Sequence, residues 1–201
     1  MKRQRSDDTL LAEKKPKSSS HWSMKLHQSM QDPNLVIESD SLTVTIKDAF
    51  PKSRHHYLIL PKERITSLRS LTAKHVDLLK HMDERSQSLI KRLVDKNPNL
   101  EFRYGYHAVP SMNQLHMHII SQDFDSSFLK TKKHWNSFTS DFFIDSRRIV
   151  DMLQTQGKIE LDRTKYEHLL KSDLHCHKCS CVLKTMPALK LHIKTHVSMP
   201  R

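Results

Sequence analysis

The chain has 201 residues, 36% of them hydrophobic, enough for one medium core with a small satellite. Its formal net charge of +12 favours an anionic partner, nucleic acid first, although a basic soluble protein without such a partner has the same balance. Two glycines, Gly105 and Gly157, are too few and too far apart for a P-loop or a dinucleotide-binding turn; three cysteines exclude a disulfide framework and imply a reducing compartment; and no apolar run has the length of a membrane span or the placing of a signal peptide.

Residues 1–20 are charged and Ser-rich, and are expected to form a disordered basic tail. Within them Lys2-Arg3-Gln4-Arg5 and Lys14-Lys15-Pro16-Lys17 have the layout of a bipartite nuclear import signal; a solvated basic tail that touches nucleic acid is the competing reading. Trp22, Leu26 and Met30 recur four apart, a helical stripe ended by Pro33. Leu35–Ile37 and Leu42–Ile46 read as strands around the turn-prone Ser39-Asp40-Ser41, and Tyr57–Leu60 as a third, stopped by Pro61. Thr72 is placed to cap a helix running to about Asp95, with Val76, Leu79, Met82, Leu89 and Leu93 on its buried side. Phe102–Tyr106 and Leu115–Ser121 are two more strands, and residues 142–156 read as a helix ending near Gly157. The order β-β-β-α-β-β predicts an α+β fold around an antiparallel sheet.

The stretch Gln114-Leu115-His116-Met117-His118 carries the chemistry. On a strand, Gln114, His116 and His118 share one face, while Leu115, Met117 and Ile119 take the other and can enter a core. Imidazole is suited to nucleophilic and acid–base work near neutral pH. Taken alone, a two-apart histidine pair also fits a metal site or chance among 15 histidines, and Asp48 alone fits a turn residue. His55 and His56 face opposite ways on a strand, so at least one is expected to pack structurally.

Near the C-terminus, Cys176-x2-Cys179-x12-His192-x3-His196 has the ligand spacing of one zinc finger, holding one structural Zn²⁺. Leu183 and Leu189 would supply its small core, and a helix from Leu189 to His196 would put both histidines on one face. His175, His177 and Cys181 are left out of the ligand set. Such a module folds only with metal. A single finger reads about 3 bp, so its expected job is backbone grip through Lys184, Lys190 and Lys194.

Several blocks stand in order along the chain: His21-Trp22-Ser23, Ser29-Met30-Gln31-Asp32-Pro33, Lys47-Asp48-x2-Pro51-Lys52, Gly105-Tyr106-His107-Ala108-Val109-Pro110-Ser111-Met112, His116-Met117-His118-Ile119-Ile120-Ser121-Gln122-Asp123-Phe124, and Lys132-Lys133-His134-Trp135-Asn136-Ser137-Phe138. Followed by the finger spacing, they resemble the histidine-triad superfamily, and within it the aprataxin branch, from His21 to the C-terminus. The resemblance implies a histidine-triad domain over residues 21–156, with helices packed on its sheet, and a ββα finger domain over 157–201. No block resembles the forkhead-associated domain that animal members often carry, so docking on phosphorylated repair scaffolds is not expected of these residues.

By the same resemblance, His116 is the nucleophile, His118 contacts the non-bridging phosphate oxygens, and His107 protonates a departing DNA 5′-phosphate. Asp48 would bind the ribose, Lys52 would lie near the phosphates, and Ser111, next to Met112, would help hold the phosphate. Gln114 stands where the family signature has its first histidine. Its carbonyl can still orient an imidazole, but it takes up no proton, so slower turnover is expected. Trp22 and Leu26 would form an apolar wedge at a DNA break, with simple core as the equal alternative. Lys132, Lys133 and His134 would add a basic DNA contact or a solvated loop.

The expectation is a monomeric nuclear hydrolase that removes AMP from 5′-adenylated DNA nicks or ends, with RNA–DNA junctions as further substrates and no membrane partner. The rival readings are a non-catalytic nucleic-acid-binding module, for which Gln114 argues, and a dinucleoside polyphosphate hydrolase, against which the finger and the charge argue.

Overall fold

The computed structural model describes residues 26–197. Its main sheet has six strands, all neighbours antiparallel: β1 (Val36–Ser39), β2 (Thr43–Lys47), β3 (His56–Pro61), β4 (Phe102–His107), β5 (Met117–Ser121) and β6 (Phe143–Asp145), in the spatial order β1-β2-β3-β5-β4-β6. The helices are α1 (Val76–Lys96), α2 (Lys132–Thr139), α3 (Ser146–Gln156), α4 (Arg163–Leu169) and α5 (Met186–Val197), and a two-stranded ribbon pairs β7 (Leu174–His175) with β8 (Val182–Leu183). Residues 26–29 form a short helical turn. The α+β antiparallel architecture with a ββα finger is as expected.

Strand alternation divides the core by sheet face. Ile59, Met117, Ile119, Tyr106 and Ile144 point to one face, where α1 and α3 supply Leu79, Met82, Leu89, Ile149 and Leu153. The opposite face holds two smaller cores. At one end Leu26 packs on Val44, Ile46, Leu58 and Leu60. At the other, Ile120 and Phe143 meet Phe124, Trp135 and Phe138 together with Leu174, Cys176, Leu189 and Ile193 of the finger. With both faces covered, every residue of β5 is buried.

Several expectations need correction. The 142–156 helix is two elements: Phe143–Asp145 pairs with Gly105–His107 as β6, and only from Ser146 does the chain turn helical. Strand β5 begins at Met117 rather than Leu115, because its pairing with β3 runs out at Ile59; Leu115 instead donates its N–H to the Ile65 carbonyl (2.7 Å). Lys132, Lys133 and His134 form the first turn of α2, capped by the Thr131 side chain, and not a loop. Residue 157 is not a packing boundary, since Ile159, Leu161 and Tyr166 lie in the same core as Leu79 and Ile119. The basic clusters of residues 1–20, and Trp22, lie outside the described residues.

Both glycines occupy positions that a side chain would disturb. Gly157 closes α3 at φ +71°, the left-handed region. Gly105 is paired on both sides, with His118 of β5 and Asp145 of β6, and a Cβ there would run into the Ile144 carbonyl.

Candidate active site

The face that carries Leu58 also carries His118, its partner across the β3–β5 ladder, and His56 two residues before Leu58. His116 precedes β5 on the same side, and His107 ends β4. These four imidazoles converge between the two smaller cores. Ring centroids are 4.4 Å apart for His107 and His118, 4.9 Å for His116 and His118, and 5.2 Å for His56 and His118. Phe138 of α2 closes the group, with its ring 4.6 Å from His107 and 5.2 Å from both His56 and His118. His116 and His118 are buried, and His107 is half-buried.

The hydrogen bonds fix which nitrogens hold protons. The backbone N–H of Lys52 donates to His56 Nδ1 (3.1 Å), so the proton of neutral His56 sits on Nε2 and is donated to His118 Nδ1 (2.9 Å). The proton of His118 is thereby held on Nε2, a buried atom with no hydrogen-bond partner among the described residues. His116 donates Nδ1–H to the Gln114 backbone carbonyl (2.6 Å), which leaves its Nε2 lone pair free. His107 Nε2 is likewise buried and unpartnered among the described residues.

Burial keeps these rings neutral. It pulls His56 down to about 4, and lowers His116 against the opposing pull of the Gln114 carbonyl and of Asp48. It also holds His107 and His118 well below the usual histidine range, reinforced by the neighbouring imidazoles and Lys52. The Asp48 carboxylate lies 3.5 Å from His56 Nδ1, but this is no ion pair, because His56 is neutral and that nitrogen already accepts from Lys52. Asp48 is also the turn residue foreseen, accepting the Phe50 N–H at 2.7 Å. Desolvation lowers the Lys52 ammonium, opposed by Asp48, and its charge acts on His56, His107 and His118.

The Gln114 side chain does not orient an imidazole. Its amide donates to the carbonyls of Pro61 (3.2 Å) and Glu63 (3.3 Å), and its backbone carbonyl, not its side chain, holds His116. Ser111 is exposed on the loop after β4, and Met112 packs on the Leu26 core. Leu26 itself is 5% exposed, so of its two readings it takes the core one. Lys132 pairs with Asp173 (3.2 Å), and burial and nearby lysines lower His134. Lys133 is exposed, as are Lys184 and Lys194 on the finger. Lys190 is tied to the Ser126 carbonyl (2.8 Å), which anchors the finger to the loop before α2. His56 and Phe138 are site residues that sequence reasoning passed over. The register of β3 against the histidine strand was the missing signal for His56; Phe138 stood at the end of a family block, with nothing to tie it to the histidines.

In the finger, Cys176, Cys179, His192 and His196 bring their ligand atoms within 4.8 Å of one another. Cys176 Sγ lies 3.3 Å from His196 Nε2, Cys179 Sγ 3.2 Å from His192 Nε2, and the two Nε2 atoms are 3.2 Å apart. Tetrahedral zinc with bonds of about 2.3 Å to sulfur and about 2.0 Å to nitrogen needs edges of roughly 3.3–3.8 Å, so the donor set fits the ion closely. The finger is not a free satellite. Trp135 Nε1 donates to the His175 carbonyl (2.9 Å), and His177 Nε2 bonds the Gln122 carbonyl (2.9 Å).

Residues 10–134 match the family described as scavenger mRNA decapping enzyme C-term binding, and residues 139–199 match the C2HE / C2H2 / C2HC zinc-binding finger. Aprataxin of Gallus gallus is 51% identical over 88% of this chain and 55% of its own length. The aprataxin-like protein of Saccharomyces cerevisiae is 33% identical, over 76% of this chain and 82% of its own. The chain thus spans about half the length of the animal relative. Among solved structures, an aprataxin ortholog, Hnt3, in complex with DNA superposes with a TM-score of 0.70 at 26% identity, covering 89% of this chain and 94% of that one.

Proposed function

The chain belongs to the aprataxin family of histidine-triad proteins, and from that premise we propose that it is a DNA-repair hydrolase removing AMP from 5′-adenylated DNA. One observation carries this reading: His116 Nε2 keeps a free lone pair beside the unpartnered Nε2 atoms of His118 and His107.

His116 Nε2 attacks the adenylate phosphorus. The P–N bond forms as the anhydride P–O bond to the DNA 5′-phosphate breaks. His118, its proton held on Nε2 by His56, donates to a non-bridging oxygen on which charge builds. His107 takes up a proton as the anionic substrate enters, which counters the effect of burial, and passes it to the departing 5′-phosphate. Neutral again, His107 then removes a proton from water as the water oxygen attacks phosphorus; the P–N bond breaks, AMP leaves and His116 is restored. Asp48, beside His56, is read as the ribose contact, and Lys52, whose charge acts on the histidines, as the phosphate contact. Zinc on Cys176, Cys179, His192 and His196 would supply a structural cross-link.

The reading extends to nicks, ends and RNA–DNA junctions as substrates, a monomeric state and a nuclear address. The catalytic role of His116 does not require a histidine at position 114, because a backbone carbonyl holds its ring. This weighs against the non-catalytic alternative. The decisive experiment incubates the zinc-loaded chain with nicked DNA carrying labelled 5′-adenylate and follows AMP release, trapping an acid-labile protein–AMP adduct. Wild type releases AMP and forms the adduct, and His116→Ala does neither. Release of AMP by His116→Ala at near wild-type rate refutes the assignment.

A further inference from the structure

Two exposed apolar side chains stand together at the rim of the histidine pocket. Phe50 is 58% exposed and Phe128 37%, with ring centroids 5.6 Å apart at an interplanar angle of 76°. They come from different loops, residues 48–55 between β2 and β3 and residues 122–131 between β5 and α2. Both loops are fixed by hydrogen bonds. The Phe50 N–H donates to the Asp48 carboxylate, the Phe128 N–H to Ser126 Oγ (3.1 Å), and the Ser126 hydroxyl to the Pro51 carbonyl. Lys190 of the finger then holds the Ser126 carbonyl at 2.8 Å. Two phenylalanines are thus presented to solvent on a braced backbone, a cost to solubility that serves neither smaller core.

Their neighbours point to what covers them. Lys130 Nζ lies 6.0 Å from the centre of the Phe128 ring, and Lys52 Nζ bonds the Phe50 carbonyl. Asp48, two residues before Phe50, lies against His56, so the pair borders the site proposed for the reacting phosphate. Exposed aromatic faces with lysines alongside make the surface on which single-stranded nucleic acid lies, bases on rings and phosphates on cations. The chain's net charge of +12 favours the same occupant. We propose that Phe50 and Phe128 form a stacking platform for an unpaired or frayed nucleobase of a nucleic-acid strand whose phosphates lie on Lys52 and Lys130. This rests on the proposed DNA substrate and names how the strand beside the reacting phosphate is held. Every base has a π-face, so the grip is tolerant of sequence and prefers an open end to an intact duplex.

The test uses the zinc-loaded chain and 5′-phosphorylated oligonucleotides with 2-aminopurine at the first or second nucleotide, reading fluorescence quenching and affinity by anisotropy. The double change Phe50→Leu with Phe128→Leu keeps apolar bulk and removes the rings; Phe50→Trp with Phe128→Trp keeps ring faces. Expected are quenching by wild type and the Trp pair, and lost quenching with about five- to tenfold weaker binding for the Leu pair. The slope of affinity against salt stays unchanged for the Leu pair, since no phosphate contact is removed. If the Leu pair melts below wild type, Phe128→Leu alone is measured by the same criteria. Full quenching and affinity in the Leu variant overturn the proposal, as they would if the patch docks a protein instead. The probe carries no adenylate, so a wild type that binds it but releases no AMP from adenylated DNA fails as a hydrolase while the platform stands.

Discussion

Removing zinc should unfold more than the finger. Leu174, Leu189 and Ile193 are 2%, 0% and 5% exposed, and their burial is against Phe124, Trp135 and Phe138, which cover the main sheet, and Phe143 on it. Three buried aliphatic side chains are together worth roughly 5–9 kcal/mol. A domain's whole net stability is roughly 5–15 kcal/mol. Without metal, two thiols and two imidazoles crowd within 4.8 Å with nothing to join them, and the ribbon and α5 lose their cross-link. The cover over Phe138 goes with them, and Phe138 is the wall of the histidine pocket. Chelation, or Cys179→Ser, should therefore lower the melting temperature of the whole chain in one transition, by on the order of 10–30 °C. Hydrolysis of a small adenylated dinucleotide should fall along with DNA binding. A finger that only grips DNA predicts the opposite split, with DNA binding lost and the small substrate still cleaved. Calorimetry of zinc-loaded and stripped protein decides: two separate transitions, the upper one unmoved, would refute the shared core.

Gln114→His should keep turnover within about tenfold of wild type, or about 1.4 kcal/mol of barrier, because the change spares the backbone carbonyl that holds His116; a larger loss in single-turnover assays means the pocket depends on the Pro61 and Glu63 contacts. His56 is held at about 4 in the folded chain against the usual 6.5, so the unfolded chain binds the proton first as pH falls. That stability is complete above about pH 6.5 and drains towards pH 4, by about 2 kcal/mol at pH 5 for this one ring. Urea melts at pH 7.5 and 5 should show the loss, with a flatter dependence in His56→Gln, which cannot titrate; identical slopes for the two proteins contradict it. Gly105→Ala should cost about 1–3 kcal/mol or more, since its methyl group meets the backbone of β6, and an unchanged urea midpoint would show that the strands part without strain.

The long elements were legible because their burial is periodic. Helix α1 buries Leu79, Met82 and Leu89 as its pattern required, and β5 sends Met117 and Ile119 to the core opposite its histidines. Residues 143–145 were misread because a three-residue strand has too short a period to show beside the helix that follows it. The convergence of His107, His116 and His118 could be anticipated from spacing and family blocks. The place of His56 could not, since it depends on how β3 registers against β5. The role of Gln114 turned on a choice between its side-chain and backbone carbonyls, which residue identity does not decide. The finger looked autonomous because its ligands lie within 21 consecutive residues, while Leu189 and Ile193 meet Trp135 and Ile120 far away in the sequence.

That long-range packing also orders events in time. The strands of the main sheet, their histidines and the loops around them all leave the ribosome before Leu189 and Ile193 are made. Contacts spanning some seventy residues form late in any case, because the intervening chain must first be confined. A chain interrupted before α5 would carry each imidazole of the pocket yet lack the outer support of Phe138, presenting bare aromatic surface to its surroundings. The histidine pocket is thus finished by a helix made after all of its imidazoles, which makes a folded site a check on the integrity of the chain as far as residue 193.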